Sequence, residues 1–416
     1  MKNRSKVAIP SQRSRYASLL WLWTTLSLLC ILLLSAIINP LLTFLSFSAD
    51  QPLFNSKPAQ TIENVVIGEP PFVADPAHDV NRQPWRKLFN SIPAVNRSPT
   101  LTLTNYAEDS AVREAMLANV AQWEEDLRSH QWYFSSATML RVYLKNPDRP
   151  LSVEEVHSYL AAQSERTVIT ARIVVGLWLC RRYDARFSSC GRVAIRADEI
   201  LQWRGVQKHQ RRAYAGSNKR FSDGYQWKHK QQVAQDLQLL QHYYLQGYHT
   251  IVDQGKIRHM PVDSSYLHIT PLREISPGGG AIAGYLVAPG NWIDDYEAYN
   301  NVYLTDVNRR IFQLNPQNDR LALRIALYLV EYWRHFARGQ KYNEPLLMAD
   351  LLAASMIPID KANLTSRFAP RIEAALQKLY EQGILGEAPV CLSLVDKVKA
   401  HWGTEWLAAY WRIVPP

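Results

Sequence analysis

Lys228, Gln231, Gln235, Gln238 and His242 fall at i, i+3, i+7, i+10 and i+14, the spacing of one face of an α-helix. Val233, Leu237, Leu240 and Tyr244 fall at i, i+4, i+7 and i+11, so the opposite face is apolar and built for burial. The polar face joins long side chains, donors and acceptors, and no negative charge; Gln232 lies beside it. A glutamine amide matches the paired N6 and N7 positions of adenine, and a lysine ammonium reaches a guanine edge or a phosphate. An ordinary solvated helix face has the same polarity, so the flanking segments have to carry the distinction.

Those flanks are strongly basic. Residues 192–230 hold ten Lys/Arg against three acids, and that excess accounts for most of the formal net charge of +10. Val193-Ala194-Ile195 predicts a short strand, and Ala197, Ile200, Leu201 and Trp203 a helix that Gly205 stops by taking positive φ. Lys208, Arg211, Arg212, Lys219 and Arg220 follow in a segment too polar to pack, expected as a flexible basic insertion. The polar-faced helix is expected over 225–246. Beyond it, 248–252 and 257–262 predict two strands joined by Asp253-Gln254-Gly255-Lys256, with Lys256 and Arg258 near the tip. A second set of helices is expected over 319–338, 345–356 and from 366–369 to Gly383, with Pro370 tolerated in the first turn. Arg367 and Arg371 sit at the start of the last one, and 406–414 predicts a closing strand.

Strand, helix, basic segment, helix and hairpin, with GVQKHQRR and KRFSDGYQWKHKQQVAQDL, resemble the order of a winged-helix DNA-binding unit. Two such units in one chain resemble plasmid replication initiators and related bacterial regulators over roughly 167–416. The resemblance implies that the third helix of each unit lies in a major groove of double-stranded DNA and that the hairpin braces on the backbone. It carries Lys228, Gln231, Gln232, Gln235, Arg367 and Arg371 over as DNA contacts.

The remaining chain frames these units. Residues 19–47 carry no charge, with nine Leu and three Ile between Leu19 and Ile38, a stretch long enough to span a bilayer. Lys2, Arg4, Lys6, Arg13 and Arg15 precede it, which by the positive-inside rule would leave the remainder outside, away from DNA. The expectation is a single-pass membrane protein, with its DNA-binding units cytoplasmic if they bind DNA. Residues 1–18 form the basic N-terminus, 19–47 the membrane helix, and 48–105 a linker with eight prolines between Asp50 and Pro99. A helical region with the first unit follows at 106–270 (the unit itself 167–270), then a connector with short strands at 271–316 and the second unit at 317–416. The expected fold class is mainly α with small β hairpins (α+β).

Catalytic signatures are missing. There is no GxxxxGK[ST], no GxGxxG opening a helix, no HExxH and no GxSxG. Asp294, Asp295 and Glu297 read as the solvated face of a short helix, Gly278-Gly279-Gly280 as a loop, and Cys180 and Cys190 as buried reduced thiols. The expected function is sequence-specific binding of double-stranded DNA without catalysis, cofactor or metal, with the membrane and a second copy of the chain as further partners. The alternative is a membrane-anchored extracytoplasmic protein that binds a protein or a polyanion.

Overall fold

At Gly176 a helix and a strand approach more closely than any side chain would allow. A Cβ there would lie 2.7 Å from a methyl of Leu101 and 2.8 Å from one of Leu103. The helix is Glu165–Arg181, whose run TVITARIVVGLWL is apolar on nearly every side and therefore buried. The strand is Thr100–Thr104, paired antiparallel with Leu304–Asn308. Gly176→Ala should lower stability by about 1–2 kcal/mol, since overpacking a filled core outweighs the gain in helix propensity. Urea unfolding of the variant measures that loss.

The computed structural model describes residues 98–416, except 127–128, 146–150, 185–187, 213–219, 274–281, 302–303, 338–341 and 400–401. Those residues all belong to one compact unit, Ala74–Pro416. The central helix Glu165–Arg181 packs against helices Ala197–Trp203 and Trp227–Leu240. It also meets an antiparallel sheet ordered Leu267–Arg273, Ile282–Pro289, Arg192–Ile195, Ser188–Ser189. A larger antiparallel sheet runs Lys256–Ser265, Tyr243–Asp253, Leu140–Leu144, Gln131–Ser135, Glu124–Asp126. Helix Ala107–Leu117 lies on it. Helix Val153–Ala162 starts at the capping box that Ser152 and Glu155 predict, with Glu155 N donating to Ser152 Oγ at 3.2 Å. The C-terminal part holds helices Arg320–Phe336, Met348–Ala354 and Ala369–Glu381, beside a sheet ordered Leu346–Leu347, Tyr410–Arg412, Val390–Cys391.

Buried charge ties the C-terminal helices to the rest. Glu331 accepts from Arg113 Nε at 3.0 Å and from Ser110 Oγ at 2.8 Å, and it is also bonded by Arg172. Arg172 reaches Asp109 at 3.6 Å, and Asp109 accepts from Thr104 Oγ1 at 2.6 Å and Tyr266 OH at 2.9 Å. Glu165 accepts from Arg320 and Arg324, both at 2.6 Å. Residues from both helical sets belong to one continuous apolar core.

Three expectations need correction. The fold is not mainly α with small hairpins: sixteen strands in five sheets appear among the described residues, one sheet with strands of ten and eleven residues. The aromatic and β-branched segments QWYFS, LRVYL and YYLQGYHTIVD suit a pleated sheet better than a helix. Second, the helix expected over 225–246 ends at Leu240. Third, the membrane helix expected at 19–47 lies outside the described residues. Among the described ones no helix is long and apolar enough to cross a membrane, so the description as a single-pass membrane protein is withdrawn.

Candidate nucleic-acid interface

Helix Trp227–Leu240 separates its two faces as its periodicity requires. Val233, Leu237 and Leu240 are buried, whereas Lys228, Gln231, Gln235 and Gln238 are exposed and Gln232 is half-buried. Rotation about the helix axis is fixed by one carboxylate. Asp236 is buried, and Arg166 grips it through Nε at 3.1 Å and Nη2 at 3.0 Å. Thr170 donates to it at 3.0 Å and Thr167 at 3.3 Å, both from the central helix, while Arg204 Nη1 stands 3.8 Å away. Burial lowers the pKa of Arg204, and the Asp236 charge opposes that shift.

The helix ends are held too. Lys230 pairs with Asp198 of the preceding helix at 2.8 Å, and the Gln241 amide donates to Ile269 O at 2.6 Å, seating the four-stranded sheet against the C-terminal end. At the other end, the N-cap Gln226 makes no side-chain cap, so the first backbone N–H groups carry the positive end of the helix dipole outward. Burial, then the charges of Lys228 and Arg204, lower the His229 pKa from 6.5, which keeps that imidazole neutral at pH 7. His242 does not extend the ridge: it is buried, hydrogen-bonded to Lys145 O at 3.0 Å and stacked on Tyr159 at 4.6 Å.

The basic segment before this helix is built rather than loose. His209–Arg212 pairs with Arg220–Gly224, with Arg211 opposite Phe221 and Arg212 opposite Arg220. A two-stranded ribbon therefore rises where a flexible loop was expected, while Lys219 lies outside the described residues. At its foot, exposed Lys208 lines a groove of about 440 Å³ with Gln202, Gln207, Gln210, Tyr225, Arg309 and Gln313 among others. Gly205 stands at that groove with φ +67°, closing the preceding helix as its sequence position predicts.

Not every candidate joins this surface. Lys256 and Arg258 are exposed, at the far end of an eleven-residue strand, roughly 35 Å along the chain at the rise of a β-strand. Arg258 is paired with Asp253 at 2.5 Å. Their hairpin belongs to the five-stranded sheet and is held at Val252 by the Asn301 amide. The hairpin that completes the small sheet beside the polar-faced helix is instead Leu267–Arg273 with Ile282–Pro289. Arg367 and Arg371 are exposed at the start of helix Ala369–Glu381, Arg367 within the π-turn Leu364–Phe368.

Sequence reading missed two residues here. Asp236 looks like any acid on a helix until Arg166 and Arg204 converge on it. Trp227 is 74% exposed; its signal was position, one turn before Gln231. Elsewhere two of the three acids of helix Trp292–Ala298 stand beside a basic group, Asp295 3.3 Å from buried His249 and Glu297 beside Arg182, while Asp294 is exposed. Cys180 and Cys190 are exposed rather than buried. Among the described residues no group of His, Cys, Asp or Glu is arranged to hold a metal ion; Gly278-Gly279-Gly280 lies outside them.

No protein-family model matches the chain, and no curated protein matches it. Among solved structures, a crystal structure of domain 2 and domain 3 of RctB is similar over 64% of this chain and 85% of that one. The identity is 10% and the TM-score 0.31, a likeness too distant to assign a family or a site.

Proposed function

We propose that this chain binds double-stranded DNA without catalysing a reaction on it, laying helix Trp227–Leu240 in a major groove. The observation that carries the reading is a ridge of Lys228, Gln231, Gln235 and Gln238 left exposed on a helix whose rotation Asp236 locks. Gln231, Gln232 and Gln235 supply amides for base edges, and Lys228 supplies a cation for a guanine or a phosphate. Lys208 and the ribbon bearing Arg211, Arg212 and Arg220 bring positive charge to the flanking backbone, where it releases counterions.

The order of elements supports a winged-helix reading. From Glu165 to Pro289, helix Glu165–Arg181, strand Arg192–Ile195, helices Ala197–Trp203 and Trp227–Leu240 and strands Leu267–Arg273 and Ile282–Pro289 keep that order, with strand Ser188–Ser189, the basic ribbon and the hairpin of Tyr243–Asp253 and Lys256–Ser265 set between them, and Arg192–Ile195 pairs with Ile282–Pro289. A related order runs from Arg320 to Arg412: helix, short strand, two helices, strand, a short helix Trp402–Leu407 and a last strand, with Leu346–Leu347 beside Tyr410–Arg412. By that correspondence Arg367 and Arg371 begin the second reading helix, and the role is initiator-like or regulator-like.

The test is duplex binding by the full chain as a function of salt. With about six phosphate contacts, affinity should fall roughly a thousandfold between ~50 and ~200 mM salt. Lys228→Ala/Gln231→Ala should erase preference among duplex sequences while leaving most of the residual, non-specific binding. Salt-insensitive binding, or a double variant that discriminates sequences like the wild type, would refute the proposal. Equal affinity for heparin and for every duplex would favour a general polyanion binder.

A further inference from the structure

We infer that Trp227 is a sequence-reading contact, its indole lying on the C5-methyl group of a thymine next to an adenine read by glutamine. The inference rests on the DNA-binding reading above and adds a residue and a base identity to it. The helix turns about 100° per residue, so Trp227 shares its face with Gln231 one turn on and with Gln238 beyond. Its side chain is 74% exposed, far more than Trp203, Trp292 and Trp406, which are wholly buried. An indole this exposed, on the face that carries the polar ridge, offers a large and rigid contact area to whatever that ridge meets.

The surroundings say what that partner is. Lys228 follows the ring directly in sequence, no acid lies between Tyr225 and Gln235, and the uncapped N-terminus of the helix lies beside it. That neighbourhood repels cationic surfaces and attracts a polyanion. Within a major groove the apolar feature is the thymine methyl, which an apolar side chain meets by van der Waals contact. Glutamine pairs with adenine, so a ridge that places Trp227 one turn from Gln231 fits an A·T-containing site. Gln235 lies a further turn along.

The experiment takes the duplex that the full chain selects from a randomised pool and replaces each thymine in turn by uracil, which removes one methyl and keeps base pairing. At one position the wild type should lose affinity by about fourfold, the value of one buried methyl. Trp227→Ala should bind the thymine duplex about tenfold more weakly, the cost of uncovering a large aromatic contact, and should not respond to the uracil. Trp227→Phe should keep part of the response, and unchanged thermal unfolding of both variants excludes a folding defect. Trp227→Ala binding as tightly as the wild type, or an equal uracil effect in both proteins, overturns the inference and leaves duplex binding standing. Failure of the wild type to select or bind any duplex overturns the DNA-binding reading itself, and this inference with it.

Discussion

Glu331→Ala should cost about 3–5 kcal/mol of folding stability, the loss expected when one partner of a buried ion pair is removed. The side chain stands between Arg113 and Arg172, whose own side chains are 2% and 5% exposed. Deleting the carboxylate leaves two guanidinium groups that water cannot reach. Asp109 does not make up the loss. It lies 3.6 Å from Arg172, and burial pushes its pKa upward against the pull of that arginine. Glu331 is different: burial raises its pKa, but the charges of Arg113 and Arg172 more than offset that and hold it below the ordinary 4.5.

That direction fixes a pH signature. A carboxylate depressed in the folded state contributes stability that is present above its unfolded pKa and lost as pH falls through its folded pKa. The stability gap between wild type and Glu331→Gln should therefore be full near pH 7 and shrink on acidification below about 4.5. Urea titrations of the two proteins at several pH values give the comparison. A gap that is constant with pH would mean that Glu331 acts through packing alone. Because Glu331 belongs to the 320–336 helix and its partners to the 107–117 and 165–181 helices, the variant should also loosen the C-terminal helices first. Hydrogen exchange would show this as early loss of protection in that segment.

Local signals were legible in the sequence where a single physical rule governed them. The capping box at Ser152, the stop at Gly205, the apolar stripe of 227–240 and the exposed ridge opposite it all follow from near-neighbour chemistry. What escaped was pairing at a distance. The strand Thr100–Thr104 sits inside a stretch expected as linker, and its partner is two hundred residues away at Leu304–Asn308. The hairpin after the polar-faced helix carries the turn and the basic tip that a wing needs, yet its first strand pairs with Leu140–Leu144 and so joins the larger sheet. The hairpin that pairs with Arg192–Ile195 follows it in the chain. A turn signal specifies that two strands meet; it cannot specify which third strand they join.

Asp236 was illegible for the same reason, and it supports the largest effect expected at the interface. Asp236→Ala would leave Arg166 and Arg204 converging on an apolar methyl, beside the hydroxyls of Thr167 and Thr170. Arg166 is a quarter exposed and recovers water, while the Arg204 side chain is only 9% exposed and does not. The stability loss should therefore fall near the lower end of the range for a broken buried pair, about 3 kcal/mol. Asp236→Asn keeps the shape but places an amide against a guanidinium, so it should lose less and keep part of the clamp. The consequence for function is separable from stability. With the clamp gone, the apolar stripe alone sets the rotation of the helix, and a small twist moves the glutamine amides off any base edge. At a temperature where the variant remains folded, its preference for the selected duplex over random DNA should drop about tenfold or more, since each well-placed amide contact is worth about 1–3 kcal/mol. The salt dependence should stay close to that of the wild type, because Lys208, Lys228 and the basic ribbon are untouched. Undiminished sequence preference in folded Asp236→Ala would show that the buried carboxylate holds the core together without aiming the ridge.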